Sequence, residues 1–485
     1  MPERTGLAVR QVMIPPRLVF AGIVVVAILL RWSLFSIESG DYRAFVDPWY
    51  RHLAENGGFA ALGDTFSNYN TPYLVLLAAA TYLPIPELVA IKSISVIFDL
   101  LLAVFTYKII RRLRPESRWQ PVVGTGLMLV LPTVVMNSSA WGQCDSIYVS
   151  LCVGSLYFLV SSRPWPAGAI FGLAFAFKLQ AIFFLPVLVA VLIINRQRIR
   201  SLLAAPAAFG VALLPAILAG RGLVSQLSVY PAQISSGSGT PGGGTAAAGG
   251  GAGRLGPGLA PGRGFGPGGG GPGGMPGGGR GGFSLTDGYS FTFNAPTPYA
   301  WLPANASPLW MYLGLGVAAA VTLGFGVWLL ARRRRLAVGE VIMVAAAATL
   351  LIPLLLPQMH ERYFYLAEVL TVIAIFVDRR FVLAAIGIQA ASISTYLAYL
   401  ENARNVPLGL AAVVALGAGV AAAVVVVLRL RTPAASGNQD LQARQRPTVD
   451  SPSWVVAASS GDDVRRVKSV FRRGRLLTDE RFASW

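Results

Sequence analysis

Histidine and cysteine are nearly absent from this chain: His52, His360, Cys144 and Cys152 are all it has among 485 residues. The two cysteines are eight residues apart in a helical stretch, about 12 Å along the axis, so they cannot pair with each other. With so few ligands, a Cys/His zinc framework is excluded. Charge is also scarce, at 13% against 54% hydrophobic residues. Together with a mean hydropathy of +0.59, this excludes a soluble globular domain. A net charge of +18 would suit nucleic acid, but most arginines flank apolar runs, where they set membrane topology. Nucleic acid is therefore not an expected partner.

Apolar runs near the roughly 20 residues needed to cross a bilayer recur along most of the chain. In lipid, backbone groups must be satisfied within the segment, so an all-α polytopic membrane protein is expected. The first run, Leu18 to Phe35, contains Arg31 and lacks a small-residue cleavage site after it, which favours a retained span over a removed signal peptide. Further spans are expected at about 88–110, 119–136, 145–160, 165–177, 181–195, 201–219, 308–330, 338–356, 362–377, 381–398 and 408–428. The total is about 12 helices, or 13 if Thr71 to Leu83 crosses fully. Thr71 to Leu83 is short for a span and reads as re-entrant or interfacial.

Arg4, Arg10 and Arg17 precede the first span, which places residues 1–17 in the cytoplasm and makes 37–70 a large first outer loop. The clusters at Arg111 to Arg118, Arg196 to Arg200, Arg332 to Arg335, Arg379–Arg380 and Arg429–Arg431 then all fall inside. The transmembrane domain spans 18–430 and a basic cytoplasmic tail follows at 431–485. The expected location is the plasma (inner) membrane. This topology brings Asp41, Asp47, Asp145, Lys178 and His360-Glu361-Arg362 towards one extracytoplasmic face.

Residues 236–282 are dominated by Gly, Pro and Ala and are expected to form a disordered outer loop. No strand, helix or Gly-Lys-Ser/Thr ending accompanies these glycines, so they are not a phosphate loop. Residues 283–305 are aromatic and could order against the outer face. In the tail, Val464, Val467 and Phe471 share one helical side among basic residues. That pattern suits an anionic membrane surface or a solubilising tail.

Ionisable groups at the edge of a lipid-spanning segment are costly and are functional candidates by default. Asp41 follows the first span closely and could act as a general base on an acceptor hydroxyl, or simply cap a helix. Gln143 and Asp145, in Trp141-Gly142-Gln143-Cys144-Asp145-Ser146, could hold sugar hydroxyls or orient the base. Alternatively, Asp145 complements a helix dipole. Lys178, with Gln180, suits a lipid-linked phosphate, or else snorkels at a helix end. His360, Glu361 and Arg362 could stabilise a departing phosphate, Arg362 bidentately, or form an interhelical ion network. Position 364 is Phe, so no HExxH zinc motif exists.

The segments SGDYRAFVDPWY, NYNTPYLVLL, IKSISVIFDLLLAVFTYKIIRR, SSAWGQCDSIYVS, FKLQAIFFLP, FNAPTPYAWL and PQMHERYFY occur in order between about residues 39 and 400. In this the chain resembles the GT-C superfamily of polytopic glycosyltransferases, and within it bacterial mannosyltransferases related to the enzyme adding the second mannose of GPI anchors. The resemblance implies a GT-C-like arrangement of helices. It also implies inverting transfer of a hexose, read as mannose, from a polyprenyl-phosphate carrier to an acceptor glycan, glycolipid or protein at the outer face. Asp41 matches the base. Lys178, Gln180, His360 and Arg362 match segments around the donor phosphate, and Tyr42, Asp47, Gln143, Asp145 and Glu361 are the candidate substrate or sugar contacts. Membrane lipids are the other partners. No cofactor is assigned with certainty, and a divalent metal is possible but lacks the support of an Asp-x-Asp motif, since Glu38-Ser-Gly-Asp41 has the wrong spacing. The competing readings are a transporter, for which no internal repeat is found, and a non-catalytic flippase of a lipid-linked sugar.

Overall fold

The computed structural model describes residues 15–235, 291–303, 306–401 and 405–431. The expectations for 236–282, for the start of the aromatic loop and for the tail from 432 lie outside these residues, as do those for 1–14. Within the described residues the chain is all-helical, with no strands beyond two isolated bridges. It is a multi-pass membrane protein.

The first helices are α1 (Pro16–Leu34), α2 (Asp47–Glu55), α3 (Thr71–Ala80), α4 (Glu87–Leu113), α5 (Gln120–Val130) and α6 (Pro132–Val135). The middle of the chain forms α7 (Asp145–Val160), α8 (Pro164–Phe177), α9 (Leu185–Ile194), α10 (Ala204–Leu218), α11 (Leu223–Leu227) and α12 (Val229–Ser235). Then come α13 (Leu309–Ala331), α14 (Val338–Leu355), α15 (Tyr365–Ile375), α16 (Phe381–Leu400) and α17 (Leu408–Arg431). Among the described residues, seven helices are long and apolar enough to cross a membrane, or eight if the bent pair at α5 and α6 forms one span. The expected spans at 145–160, 165–177 and 181–195 are present as shorter apolar helices.

Pro132 explains the broken span. It has no N–H to donate, and the helix axis turns by 46° where α5 meets the following segment Pro132–Trp141. That segment ends in a π-helical turn, Met136–Trp141, and the chain reverses at Gly142, whose φ of +74° is the left-handed conformation that glycine adopts freely. Trp141 and Gln143 are thereby delivered to the bundle interior rather than to lipid.

The arginine clusters gather at one end of the bundle. Arg112 Nε donates to Val160 O (3.2 Å) at the end of α7, and Arg114 Nε to Phe376 O (3.2 Å) just past α15. Gln197 Nε2 donates to Leu159 O (3.1 Å), Asn195 Nδ2 to Leu336 O (3.1 Å), and Arg332 to Leu430 O. At the opposite end, Asn70 Nδ2 donates to Ala176 O (3.0 Å) and Tyr50 Oη to Ala80 O (3.4 Å). Both ends of α3 are thus held at that second end, which suits a re-entrant or an interfacial helix alike.

Two buried cations lock the bundle. The Arg31 guanidinium pairs with Asp99 (2.9 Å) and donates to Leu129 O (2.7 Å), while Ser146 Oγ donates to the other Asp99 oxygen (2.6 Å). This ties α1, α4, α5 and α7 together. Lys92, fully buried in α4, donates instead to carbonyls of Ile37 and Ser139 (2.6 Å each) and of Phe35 (3.0 Å). It fixes the exit of α1 against the π-turn that carries Trp141. Both sites satisfy the requirement that charge in an apolar interior be paired or hydrogen-bonded.

Substituting Asp99→Leu alone should therefore destabilise the protein by about 3–5 kcal/mol, because Arg31 is left buried without its partner. The double variant Arg31→Met with Asp99→Leu should recover most of that loss. Thermal unfolding midpoints in detergent decide it, and equal midpoints for the single and double variants would show that the pair is not coupled.

Candidate functional site

At the end opposite the arginine clusters, four irregular segments converge. The first is the π-helical turn Tyr42–Val46 with Asp41 at its start. The second is the turn ending in Trp141, followed by Gln143 and by Asp145 at the first position of α7. The third is the junction after α8, where Lys178 adopts extended backbone before a 3₁₀ turn, Leu179–Phe184. The fourth follows α14. Pro357, just past the C-cap Leu356, prevents that helix from continuing, and Gln358 lies at φ +59°. The residues after it lead into a 3₁₀ turn, Glu361–Phe364.

Asp41 lies at the centre. Its Oδ2 accepts from Trp141 Nε1 (3.1 Å), from Gln143 Nε2 and from Arg362 Nη1 (3.2 Å), and its Oδ1 accepts from Tyr399 Oη (2.6 Å) at the end of α16. Trp141 is fully buried, stacked on Tyr399 (4.4 Å between centroids) and edge-on to Tyr396 (5.1 Å). Asp145 is also fully buried. It pairs with Lys178, accepts from Asn137 Nδ2 (3.1 Å), and lies 4.0 Å from Arg362 Nε. Glu361 approaches Arg362 at 3.7 Å. The charges therefore alternate, with Arg362 between Asp41 and Asp145 and with Lys178 on the far side of Asp145.

Three polar atoms in this cluster are buried without a hydrogen-bond partner, Arg362 Nε, Gln180 Oε1 and Asn137 Oδ1. Buried polar groups are normally satisfied, so an orphan donor and two orphan acceptors in one site mark where a ligand or water belongs. Among the described residues no three His, Cys, Asp or Glu side chains converge as metal ligands. The guanidinium of Arg362 occupies the space between Asp41 and Asp145.

His360 reaches the site as a neutral imidazole rather than as the cation that its neighbours suggest. Burial, followed by the Arg362 and Lys178 charges, holds it well below the usual histidine range. Its ring stacks on Phe293 (5.0 Å) and tilts against Tyr363 (5.2 Å). Phe293 belongs to a strap running from residue 291 to 303. Gln358 N donates to Phe291 O (2.8 Å), Phe293 N to Met359 O (2.9 Å), Asn294 Nδ2 to Thr395 O (3.0 Å) and Tyr299 Oη to Leu355 O (2.7 Å). The part of the aromatic loop that is described thus lies on the candidate site.

Of the residues singled out from sequence, Asp41, Gln143, Asp145, Lys178, Gln180, His360, Glu361 and Arg362 come together. Tyr42 and Asp47 do not join them. Tyr42 Oη donates to Glu87 (3.3 Å) and Asp47 pairs with Arg51 (2.8 Å), which is itself 3.8 Å from Glu87. Tyr399 and Asn137 are additions that the sequence did not announce, and Trp141 binds the central carboxylate rather than serving only as an interfacial anchor.

Residues 66–234 match the model of Glycosyltransferase family 87. The matched stretch, less than half the chain, includes Gln143, Asp145, Lys178 and Gln180 and stops short of Asp41 on one side and Arg362 on the other. It indicates a polytopic glycosyltransferase, without reaching the choice of sugar or a kinship with the GPI mannosyltransferases. No curated protein matches the chain.

Glu361 gives this cluster a pH dependence. It lies in the connection between α14 and α15, only 2% exposed. Burial pushes its carboxyl from 4.5 up to about 7, against the opposing pull of Arg362. Between those values the folded chain holds a proton that the unfolded chain has lost, so the stability from Glu361 is full below 4.5 and falls as pH rises through about 7. Glu361→Gln should therefore gain on wild type by on the order of 1–3 kcal/mol more at pH 8 than at pH 4.5. Paired unfolding curves test this, and a pH-independent difference would show that Glu361 does not titrate in this range.

Proposed function

We propose that the chain transfers a hexose, read as mannose, from a polyprenyl-phosphate carrier to an acceptor hydroxyl at the extracytoplasmic face, with Asp41 as general base. The observation that carries this reading is the asymmetry of the Asp41 carboxylate. An ionised carboxylate offers about four lone-pair sites. Three donors crowd Oδ2, whereas Oδ1 takes only Tyr399. The remaining site on Oδ1 suits the proton of an incoming hydroxyl.

In the proposed reaction Asp41 removes that proton as the acceptor oxygen attacks the anomeric carbon. The bond from that carbon to the phosphate oxygen breaks, and polyprenyl monophosphate leaves with the electron pair. A single displacement assisted by one base inverts the anomeric centre. Charge then develops on the leaving phosphate, where preorganised donors are most effective in a site that excludes water. Arg362 has its Nε free and a planar fork suited to phosphate. Lys178 adds a point charge that Asp145 holds in place, and neutral His360 adds a hydrogen bond. Gln180, with its oxygen unpartnered, can accept from a sugar hydroxyl, as can Glu361. Gln143 and Trp141 orient the base.

The test is transfer of radiolabel from polyprenyl-phosphate mannose to membrane lipids and proteins by purified protein. Asp41→Asn keeps the shape of the side chain and should lower transfer by at least ~10²-fold, with donor binding retained. Arg362→Lys should weaken both donor binding and turnover, because a bidentate fork is lost. Transfer by Asp41→Asn at the wild-type rate would remove Asp41 as base. Label that moves from another polyprenyl-phosphate hexose but not from the mannose donor would reassign the sugar.

A further inference from the structure

At the arginine-rich end, a pocket of about 270 Å³ opens between the turn joining α4 to α5 and the turn joining α15 to α16, lined by Arg114, Gln120, Ile375, Phe376, Val377 and Arg379. Arg114 uses only its Nε, on Phe376 O (3.2 Å). Among the described residues, the rest of its guanidinium, the guanidinium of Arg379 and the Gln120 side chain have no protein partner. The nearest carboxylate in the second turn, Asp378, is already taken by Arg380 (2.7 Å). In the first turn Arg111, Arg112, Arg114 and Arg118 face a single acid, the exposed Glu116.

The flanking surface fixes the depth of this pocket. Trp119, 40% exposed, precedes Gln120, and Val123 and Leu127 are exposed further along α5. Leu383 and Ile386 do the same on α16. A tryptophan at the boundary followed by lipid-facing aliphatics marks the headgroup level of a bilayer. The pocket thus presents the Arg379 guanidinium, the free end of the Arg114 guanidinium and an amide at the depth of lipid phosphates, above an apolar wall of Ile375, Phe376 and Val377.

We propose that this pocket binds the phosphate of an anionic phospholipid, with Arg114 and Arg379 on the phosphate oxygens and the upper acyl chain along Ile375 and Val377. Basic pockets between membrane helices suit such headgroups, and arginine suits planar contact with phosphate oxygens. The occupant would also brace the turn after α15, the helix whose other end carries Glu361 and Arg362.

The full-length protein in nanodiscs of phosphatidylcholine, with or without phosphatidylglycerol, provides the test. Retention of phosphatidylglycerol is measured by mass spectrometry after detergent release, together with the unfolding midpoint. Wild type should retain phosphatidylglycerol over phosphatidylcholine and unfold at higher temperature with it. Arg379→Ala, which removes no contact within the protein, should weaken retention about five-fold, and Arg114→Ala with Arg379→Ala should weaken it further. Arg198→Ala with Arg200→Ala, at the same end but away from the pocket, should leave it unchanged. Equal retention by wild type and Arg379→Ala, or an equal loss in the distal control, would overturn the site. If inorganic phosphate alone reproduces the midpoint shift in phosphatidylcholine, the ligand is free phosphate and not a lipid.

Discussion

A charge inside a low-dielectric bundle needs a partner, and the architecture at the candidate site follows from meeting that need four times in one place. Asp41, Arg362, Asp145 and Lys178 come from four separate segments, and each is intelligible only beside the next. Removing any one exposes its neighbour to a desolvation cost of several kcal/mol. The ends of α1, α6, α8 and α14 are therefore fixed relative to one another by electrostatics as well as by packing. Asp145 is presented by the first turn of α7, whereas Asp41, Lys178 and Arg362 stand at irregular backbone between helices. The chain uses π-helical and 3₁₀ turns there, and such irregular backbone is tolerated at membrane depth only where protein buries it.

The same rule separates structural charges from those with chemistry left to do. Arg31 and Lys92 are as deeply placed as Arg362, yet their donors go to Asp99, to Leu129 O and to the carbonyls around Ile37 and Ser139. These are anchors. Arg362 differs because its Nε is buried and empty while its Nη1 holds Asp41. Gln180 and Oδ1 of Asp41 have the same unspent capacity. A site that keeps donors and acceptors in reserve among satisfied neighbours is arranged for a polar ligand that arrives from elsewhere.

Much of this was legible in the sequence wherever a polar residue interrupts an apolar run. PQMHERYFY, WGQCDS and FKLQ stand out for that reason, and all three reach the cluster. The span positions are legible from hydropathy, the short α7 and α8 included, whereas the 46° bend at Pro132 was not among the expectations. Asp99 obeys the same rule and was not singled out, since nothing local distinguishes it from a surface residue until Arg31 is placed beside it. Tyr399 had no signal, being one aromatic among several at the end of α16. The placement of Tyr42 and Asp47 beside Glu87 follows from the π-turn at Tyr42–Val46, which changes the side of the chain that faces Asp41. The neutral state of His360 depends first on burial and then on the Arg362 and Lys178 charges, and its burial cannot be read from the five residues around it.

The depth of the polar groups argues for transfer rather than transport. A transporter keeps its ionisable groups near the bilayer midplane, where unwound helices from two repeated halves can expose them to either side. Here Asp145 opens α7, Tyr399 closes α16, Lys178 follows α8 and Arg362 precedes α15, so each charge or donor stands at the same terminus of the bundle. At the other terminus Arg112 and Arg332 bind carbonyls at the ends of their neighbours, and Arg114 and Arg379 line a basic pocket. A lipid-linked donor has its reactive phosphate at the membrane surface, not at its centre. On the proposed reaction, the polarity of this bundle would meet that phosphate where its chemistry lies.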